Sequence, residues 1–171
     1  MSSKLSDTKP PRGVLRWLLR MPIYLYRLRM GRLLGNRFLM LTHIGRKSGQ
    51  PRQSVLEVVG HHQATGSYII ASGWGEQADW LRNIEKNPNV LVDVRGRRFE
   101  ATAERLSQEI ATHEAREYAC RHPAAFRALA GRMIGRPLTG TAADYRALAE
   151  AVPFVALRPR AYVSGSKSDP S

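Results

Sequence analysis

Residues 37–60, RFLMLTHIGRKSGQPRQSVLEVVG, decide the fold of this chain. Residues 37–44 form a mostly apolar run that stops at Gly45, and a second strand-length run occupies 52–59. Between them, Gly45-Arg46-Lys47-Ser48-Gly49-Gln50-Pro51 is rich in the residues that punctuate turns. Two such runs joined by such a turn predict a pair of strands. Working downstream, His61–Gly66 reads as a second turn, with no carboxylate or cysteine beside its two histidines, and Ser67–Ser72 as a third strand. Residues 77–86 read as a short helix stopped by Asn87-Pro88, and 90–95 and 97–106 as strands about Gly96. A helix from the N-cap Ser107 to Arg121, a second piece after Pro123, a loop at 135–141, a helix at 142–151 and a strand at 153–158 complete the body. Strands that follow one another with helices at the periphery predict a mainly antiparallel α+β domain, a barrel, and not a doubly wound parallel sheet.

Upstream of the hairpin the chain changes character. The protein has 171 residues, 43% of them hydrophobic, enough for one packed core. Its net charge is +13, yet residues 1–56 hold twelve basic residues against the single acid Asp7, whereas residues 57–171 are nearly balanced. A near-neutral body with a basic first third is built to face something anionic. Residues 1–11 read as a flexible leader, 12–36 as a basic amphipathic helical segment, 37–160 as the folded domain and 161–171 as a disordered tail. Within 12–34, Arg12, Arg16 and Arg20 share one helical face and Leu15, Leu18 and Leu19 the other, with Trp17, Tyr24 and Tyr26 following the pattern of an interfacial helix. A terminal helix covering the domain's own core, with its arginines reaching to water, fits the same pattern. The arginines leave no apolar run near the roughly 20 residues that span a bilayer. The expected place is therefore the cytoplasm, with a peripheral position on the inner membrane face under the interfacial reading of 12–34. A single cysteine, Cys120, excludes a disulfide framework and a cysteine zinc site; it reads as buried filler.

The densest chemical signal is the loop 45–52. Its glycines expose backbone N–H groups, Arg46, Lys47 and Arg52 add three charges, and Ser48 adds a hydroxyl, the makings of a clamp for phosphate or carboxylate. It is not a P-loop, because the spacing differs and no helix follows. The same stretch, from Leu41-Thr42-His43 to Pro51-Arg52, resembles the Thr-Gly-Arg-Lys-Ser/Thr-Gly-x-Pro-Arg signature of the deazaflavin-dependent nitroreductase family, which includes F-420H2-dependent quinone reductases. Ile69-Ile70-Ala71-Ser72-Gly73, the segment Asp79–Val90 with Trp80, Asn83 and Asn87-Pro88, and the closing Val152–Pro159 are similar to further family segments in the same order.

That resemblance implies a split β-barrel of the FMN-binding type with an N-terminal helix and peripheral helices. It implies coenzyme F-420, a 5-deazaflavin with a phosphate and an oligoglutamate tail, and hydride transfer to a quinone, nitro compound or other lipophilic acceptor. FMN is the alternative cofactor, since related barrels bind it. By this match Arg46, Lys47, Ser48 and Arg52 clamp the tail. Gln53, Ser54, Val55, Leu56 and Glu57 line the coenzyme together with Ala71, Ser72 and Gly73, and Trp80, Leu81 and Asn83 lie beside it. Ser72 is the candidate hydrogen-bond donor to ring or substrate, although a strand-end serine also serves as a turn former. Trp80, Leu81 and Ile84 have the spacing of a core-facing helix as well. His43 reads as structural.

The sequence departs from active nitroreductases of the family where they carry tyrosines: Glu57 occupies the second-strand position and Phe126 the C-terminal one, while Tyr145 arrives with a longer stretch at 127–151. Those departures keep a non-catalytic coenzyme or apolar-ligand binder in view. Nucleic-acid or membrane-surface binding is a further alternative on charge alone, although the leucines of 12–34 suit no groove and no specific nucleic acid is expected. His113, Glu114 and Glu117 lack the second histidine of a zinc protease motif, and no metal site is expected. Split barrels commonly pair, so analogy of fold implies a homodimer.

Overall fold

The computed structural model describes residues 37–127 and 131–160, with no side-chain detail at 131 and 132. The leader, the amphipathic segment 12–36 and the tail from 161 lie outside the described residues. Six strands, β1 (Phe38–Ile44), β2 (Pro51–His62), β3 (Ser67–Ala71), β4 (Asn89–Val94), β5 (Arg97–Arg105) and β6 (Phe154–Pro159), close into a barrel in the order β1-β2-β3-β6-β5-β4. Every pairing is antiparallel. The helical elements are α1 (Asp79–Lys86), α2 (Gln108–Arg121), the turns α3 (Pro123–Ala125) and α4 (Gly131–Ile134), and α5 (Ala142–Ala151).

Alternation along the strands builds two cores. Inward-facing Leu39, Leu41, Ile70, Val90, Val92, Val94, Val155 and Leu157 fill the barrel, and α1 closes one end with Trp80, Leu81 and Ile84. On the outer face, Val59, Ile69, Phe154 and Ala156 pack under Ala111, Ala115, Tyr118 and Ala119 of α2 and Leu148 of α5. Strands β3 and β6 are thus covered on both sides, which is why their sequences read as continuous apolar runs. Ser107 caps α2 by accepting the Ile110 amide, and Thr141 and Asp144 form a reciprocal capping box on α5.

Three sequence readings change. Strand β2 continues through His61 and His62, where a turn was expected. A bulge between Val58 and Gly60 reverses its alternation, so that His61 pairs with Tyr68 on the inner face and His62 points outward to α2. There His62 Nε2 lies 2.7 Å from Oε1 of Glu114, a buried carboxylate fifty-two residues further along the chain. Gly60 leaves the room this needs, since a Cβ there would stand 2.8 Å from Glu114 Oε2. Cys120 is exposed and not buried filler, because α2 turns Ala115, Tyr118 and Ala119 inward instead. The helix expected over 77–86 is a 3-10 turn at Gly75–Gln77 and then α1, parted by the extended Ala78.

Candidate functional site

The β1–β2 loop is held from within and presents its charges outward. Gly45 N–H donates to Gln50 O at 2.9 Å, Gly49 N–H donates to Gly45 O at 2.8 Å, and the Gln50 amide donates to Ser48 Oγ at 3.3 Å. A side chain on Gly45 would put its Cβ 2.7 Å from Ser48 Oγ and 3.3 Å from the Gln50 carbonyl, so it would displace the Ser48 hydroxyl from its place in the loop. Gly49, with φ of 66°, takes the left-handed conformation.

The four residues expected to clamp an anion, Arg46, Lys47, Ser48 and Arg52, have different fates. Arg46 is committed: its Nη1 donates to Asp79 Oδ1 at 2.9 Å and to Asn83 Oδ1 at 3.1 Å, and its backbone N–H reaches the same Asn83 oxygen at 3.0 Å. Lys86 donates to the Arg46 carbonyl at 3.0 Å. Together these bonds latch the loop to α1. Lys47, Ser48 and Arg52 are exposed, and neither Lys47 nor Arg52 has an ion-pair partner among the described residues. Two uncommitted cations on a rigid loop with a hydroxyl between them suit an anionic group.

Behind the loop lies a buried polar chain. Asn83 and His43 are 4% and 3% exposed, Asn83 Nδ2 lies 3.1 Å from His43 Nδ1, and His43 Nε2 lies 3.2 Å from Ser54 Oγ. Burial pushes the His43 ring down to about 4; the Asp79 charge opposes that shift and the Arg52 charge adds to it. His43 is thus a neutral structural histidine.

The remaining residues read from the sequence do not share one surface. Along β2, Ser54 and Leu56 face the barrel interior, whereas Gln53, Val55 and Glu57 face outward. Ser72 has no exposed surface; its hydroxyl donates to Gly75 O at 2.7 Å and its N–H to Pro153 O at 2.9 Å. Its donor capacity serves the turn after β3, so the structure places it as a turn former and not as a donor to ring or substrate. Leu81 is fully buried and Trp80 nearly so, both in the barrel core. Asn83 belongs to the latch, Ala71 is half-buried, and Gly73 is exposed with Met133 Cε 2.9 Å from where its Cβ would be.

One tyrosine escaped the sequence reading. Tyr118 OH donates to Glu57 Oε1 at 3.0 Å, and Arg37 Nε lies 3.3 Å from the same oxygen. Burial, followed by the Glu57 charge and hydrogen bond, pushes the phenol up to about 12, while Arg37 and Arg121 oppose the shift. The signal was available as helical spacing: Tyr118 continues the inward face set by Ala111 and Ala115. Phe126, at the other departure, packs its ring 5.6 Å from that of Tyr145.

Comparison with known proteins adds the decisive observation: the family model described as F-420H2-dependent quinone reductase matches residues 20–139. The chain belongs to the F-420H2-dependent quinone reductase family. The match takes in the whole loop 45–52, α1 and α2. Among solved structures, an F-420H2-dependent reductase (FDR-A) superposes with a TM-score of 0.50 at 20% identity, covering 72% of this chain and 96% of that one. A structure described as a domain-swapped dimer gives 0.50 at 20% identity, over 80% of this chain and 99% of that one. A pyridoxamine 5'-phosphate oxidase-related, FMN-binding protein from Nostoc punctiforme gives 0.51 at 12%, over 82% and 80%. At such identities these likenesses establish the split-barrel fold. The reading of the sequence as a mainly antiparallel split barrel, and as a member of this reductase family, therefore holds. Among the described residues, no three of His, Cys, Asp and Glu gather as metal ligands, and no helix is long and apolar enough to cross a membrane.

Proposed function

We propose that this chain binds coenzyme F-420 and passes a hydride from its reduced form to a lipophilic acceptor, with a quinone favoured by the family and a nitro compound as the alternative. The observation that carries this reading is the pair of uncommitted cations, Lys47 and Arg52, on a loop held rigid by Arg46, Asp79 and Asn83. A multiply charged tail meets a preset positive site there, and little conformational entropy is lost on binding. The bound coenzyme supplies the hydride chemistry; the chain has to bind, orient and exclude water. Lys47, Ser48 and Arg52 would hold the phosphate and carboxylates. Arg46 keeps the loop in shape and is not itself a free clamp. Gln53 and Val55 on the outer face of β2, and Ala71 with Gly73 at the end of β3, offer lining, whereas Leu56 packs into the barrel core.

Glu57 and Tyr118 form a polar pair on the outer face of β2 that would serve an acceptor. Residues 12–34 supply the membrane half of the reading: each arginine near an anionic surface contributes about 1 kcal/mol at most, so peripheral binding there should fall steeply with salt. A homodimer is part of the same proposal, by analogy of fold.

The test is a fluorescence titration with oxidised F-420, run beside FMN, on the unaltered protein and a Lys47→Ala, Arg52→Ala double variant. Binding of F-420 that the double variant weakens at least tenfold supports the reading, and oxidation of F-420H2 by a soluble quinone then separates a reductase from a non-catalytic binder. Tight FMN binding without F-420 binding would move the chain to the flavin branch and refute it.

A further inference from the structure

The pair on the outer face of β2 has a polarity that its geometry fixes. Tyr118 carries one hydroxyl proton and donates it to Glu57 Oε1 at 3.0 Å. Arg37 Nε, which only donates, lies 3.3 Å from the same oxygen. Oε1 therefore holds two donors and no proton of its own, and the guanidinium beside it keeps Glu57 a carboxylate. Burial, followed by the Glu57 charge, keeps the phenol protonated. Glu57 Oε2 has no hydrogen bond among the described residues, and no buried side-chain oxygen among them lacks one, so Oε2 is open to solvent. What the pair presents outward is thus an acceptor. A carboxylate oxygen has no proton to give, and the one hydroxyl proton is spent inside the pair.

An apolar shelf lies beside that oxygen. Ala71 follows Ile70, the partner of Val58, so the register sets it next to Glu57 across the β2–β3 ladder, about 5 Å away and on the same outer face. Two residues further on, Gly73 is exposed, and Met133 Cε lies 2.9 Å from where a Cβ on it would stand. Trp74 comes next. Trp74 and Met133, 51% and 37% exposed, are two of the three exposed large hydrophobic side chains among the described residues. The turn that displays Trp74 is fixed on both sides, by Ser72 donating to Gly75 O and by Arg82 Nε donating to Glu76 O at 3.0 Å. An open acceptor at the edge of a rigid apolar shelf suits a flat ring that carries a hydrogen-bond donor.

We propose that Glu57 selects electron acceptors bearing a hydroxyl or amino donor on the ring and discriminates against nitro compounds, with Tyr118 as the positioning residue that fixes its polarity. That the ligand is an electron acceptor rests on the function proposed above; the polarity of the pair does not. A nitro oxygen at Oε2 would meet a second negative oxygen with no proton between them. An amino or hydroxyl group instead completes the coordination that the carboxylate lacks.

The probes are 2-amino- and 2-methyl-1,4-naphthoquinone, which place groups of similar size on the same ring. Binding of each is read from quenching of tryptophan fluorescence, with and without F-420. The unaltered protein is expected to hold the amino compound about tenfold tighter, as a hydrogen bond to a charged group implies. In Glu57→Gln the carbonyl oxygen still has to face Tyr118 and Arg37, which leaves the amide nitrogen at the place of Oε2. An N–H then meets the amino N–H, and the preference should vanish. The same variant should gain in kcat/KM for a nitro compound relative to 2-methyl-1,4-naphthoquinone, and no gain would refute the discrimination against nitro compounds. Adding Tyr118→Phe to Glu57→Gln releases the carboxamide to turn its oxygen outward and should restore part of the amino preference; no restoration would make Tyr118 merely structural. Glu57→Ala gives the same loss of preference if the glutamine variant unfolds. Equal affinity of the unaltered protein for the two probes, a preference that survives substitution of Glu57, or no binding of either probe with or without F-420 would overturn the assignment. An amino preference that Glu57→Gln abolishes, in a protein that binds no F-420, would leave the polarity standing while the proposed function fails.

Discussion

Acidification offers a direct measure of the buried histidine. The folded protein keeps His43 neutral down to about 4, whereas the unfolded chain takes up a proton near the ordinary 6.5. Between those values the unfolded state binds the additional proton, so the contribution of His43 to stability is complete above pH 6.5 and is lost as the pH falls toward 4. Each pH unit of separation corresponds to about 1.4 kcal/mol, so the whole window represents about 3 kcal/mol, an upper value because the unfolded chain is not fully solvated. The assay is urea unfolding followed by tryptophan fluorescence, since Trp80 is buried and changes environment. Measured at about pH 7.5 and about pH 4.5, the unaltered protein should lose about 2 to 3 kcal/mol more stability than His43→Gln. The His62–Glu114 pair is present in both proteins and cancels. The capped Asp144 carboxylate, held well below the usual carboxylate range chiefly by the Thr141 amide and Arg136, loses its contribution only below the ordinary value of 3.8 and stays outside the window. Parallel losses in the two proteins would refute the reasoning.

The same geometry sets further expectations. Arg46→Ala removes the latch and should lower the unfolding midpoint, while Lys47→Ala should leave the midpoint unchanged and flatten the salt dependence of F-420 binding; the reverse pattern would exchange their roles. Glu57→Gln takes a negative charge from beside Tyr118, so the phenol should titrate below its present value of about 12 yet above the ordinary 10.0, because burial remains, and ultraviolet absorbance during alkaline titration reads this. Gly60→Ala brings a Cβ to 2.8 Å from Glu114 Oε2, a tethered buried group, and should cost about 1–3 kcal/mol in thermal or urea unfolding.

The barrel was legible in the sequence because its signals are local. The apolar runs at 37–44 and 67–72, the glycine-bounded loop between β1 and β2, and the Asn87-Pro88 stop after α1 each act through neighbouring residues. What escaped depended on partners far along the chain. Arg46 looks like a free cation until Asp79 and Asn83, more than thirty residues on, come within hydrogen-bond distance. The His61-His62 dipeptide reads as a polar turn because the bulge that aims His62 at Glu114 is a feature of pairing and not of composition. The lining predicted over 53–57 treated five successive residues as one surface, but a strand divides them between the barrel interior and its outer face. Tyr118 is not legible from strand and C-terminal positions, because the phenol that meets Glu57 comes from a helix sixty-one residues away.

Closure of the sheet also limits how copies of this chain can meet. Each of the six strands has a hydrogen-bonded neighbour on both sides, and the seam between β1 and β4, carried by Met40–Thr42 against Leu91–Asp93, completes the ring. A ring has no rim on which a visiting strand could continue the ladder. Among the described residues, two copies that associate would meet through side chains on the barrel wall or its covering helices, or one copy would surrender a strand and break two seams to lend it. The first route leaves assembly sensitive to single surface substitutions; the second makes it slow, and tied to the unfolding rate of the barrel itself.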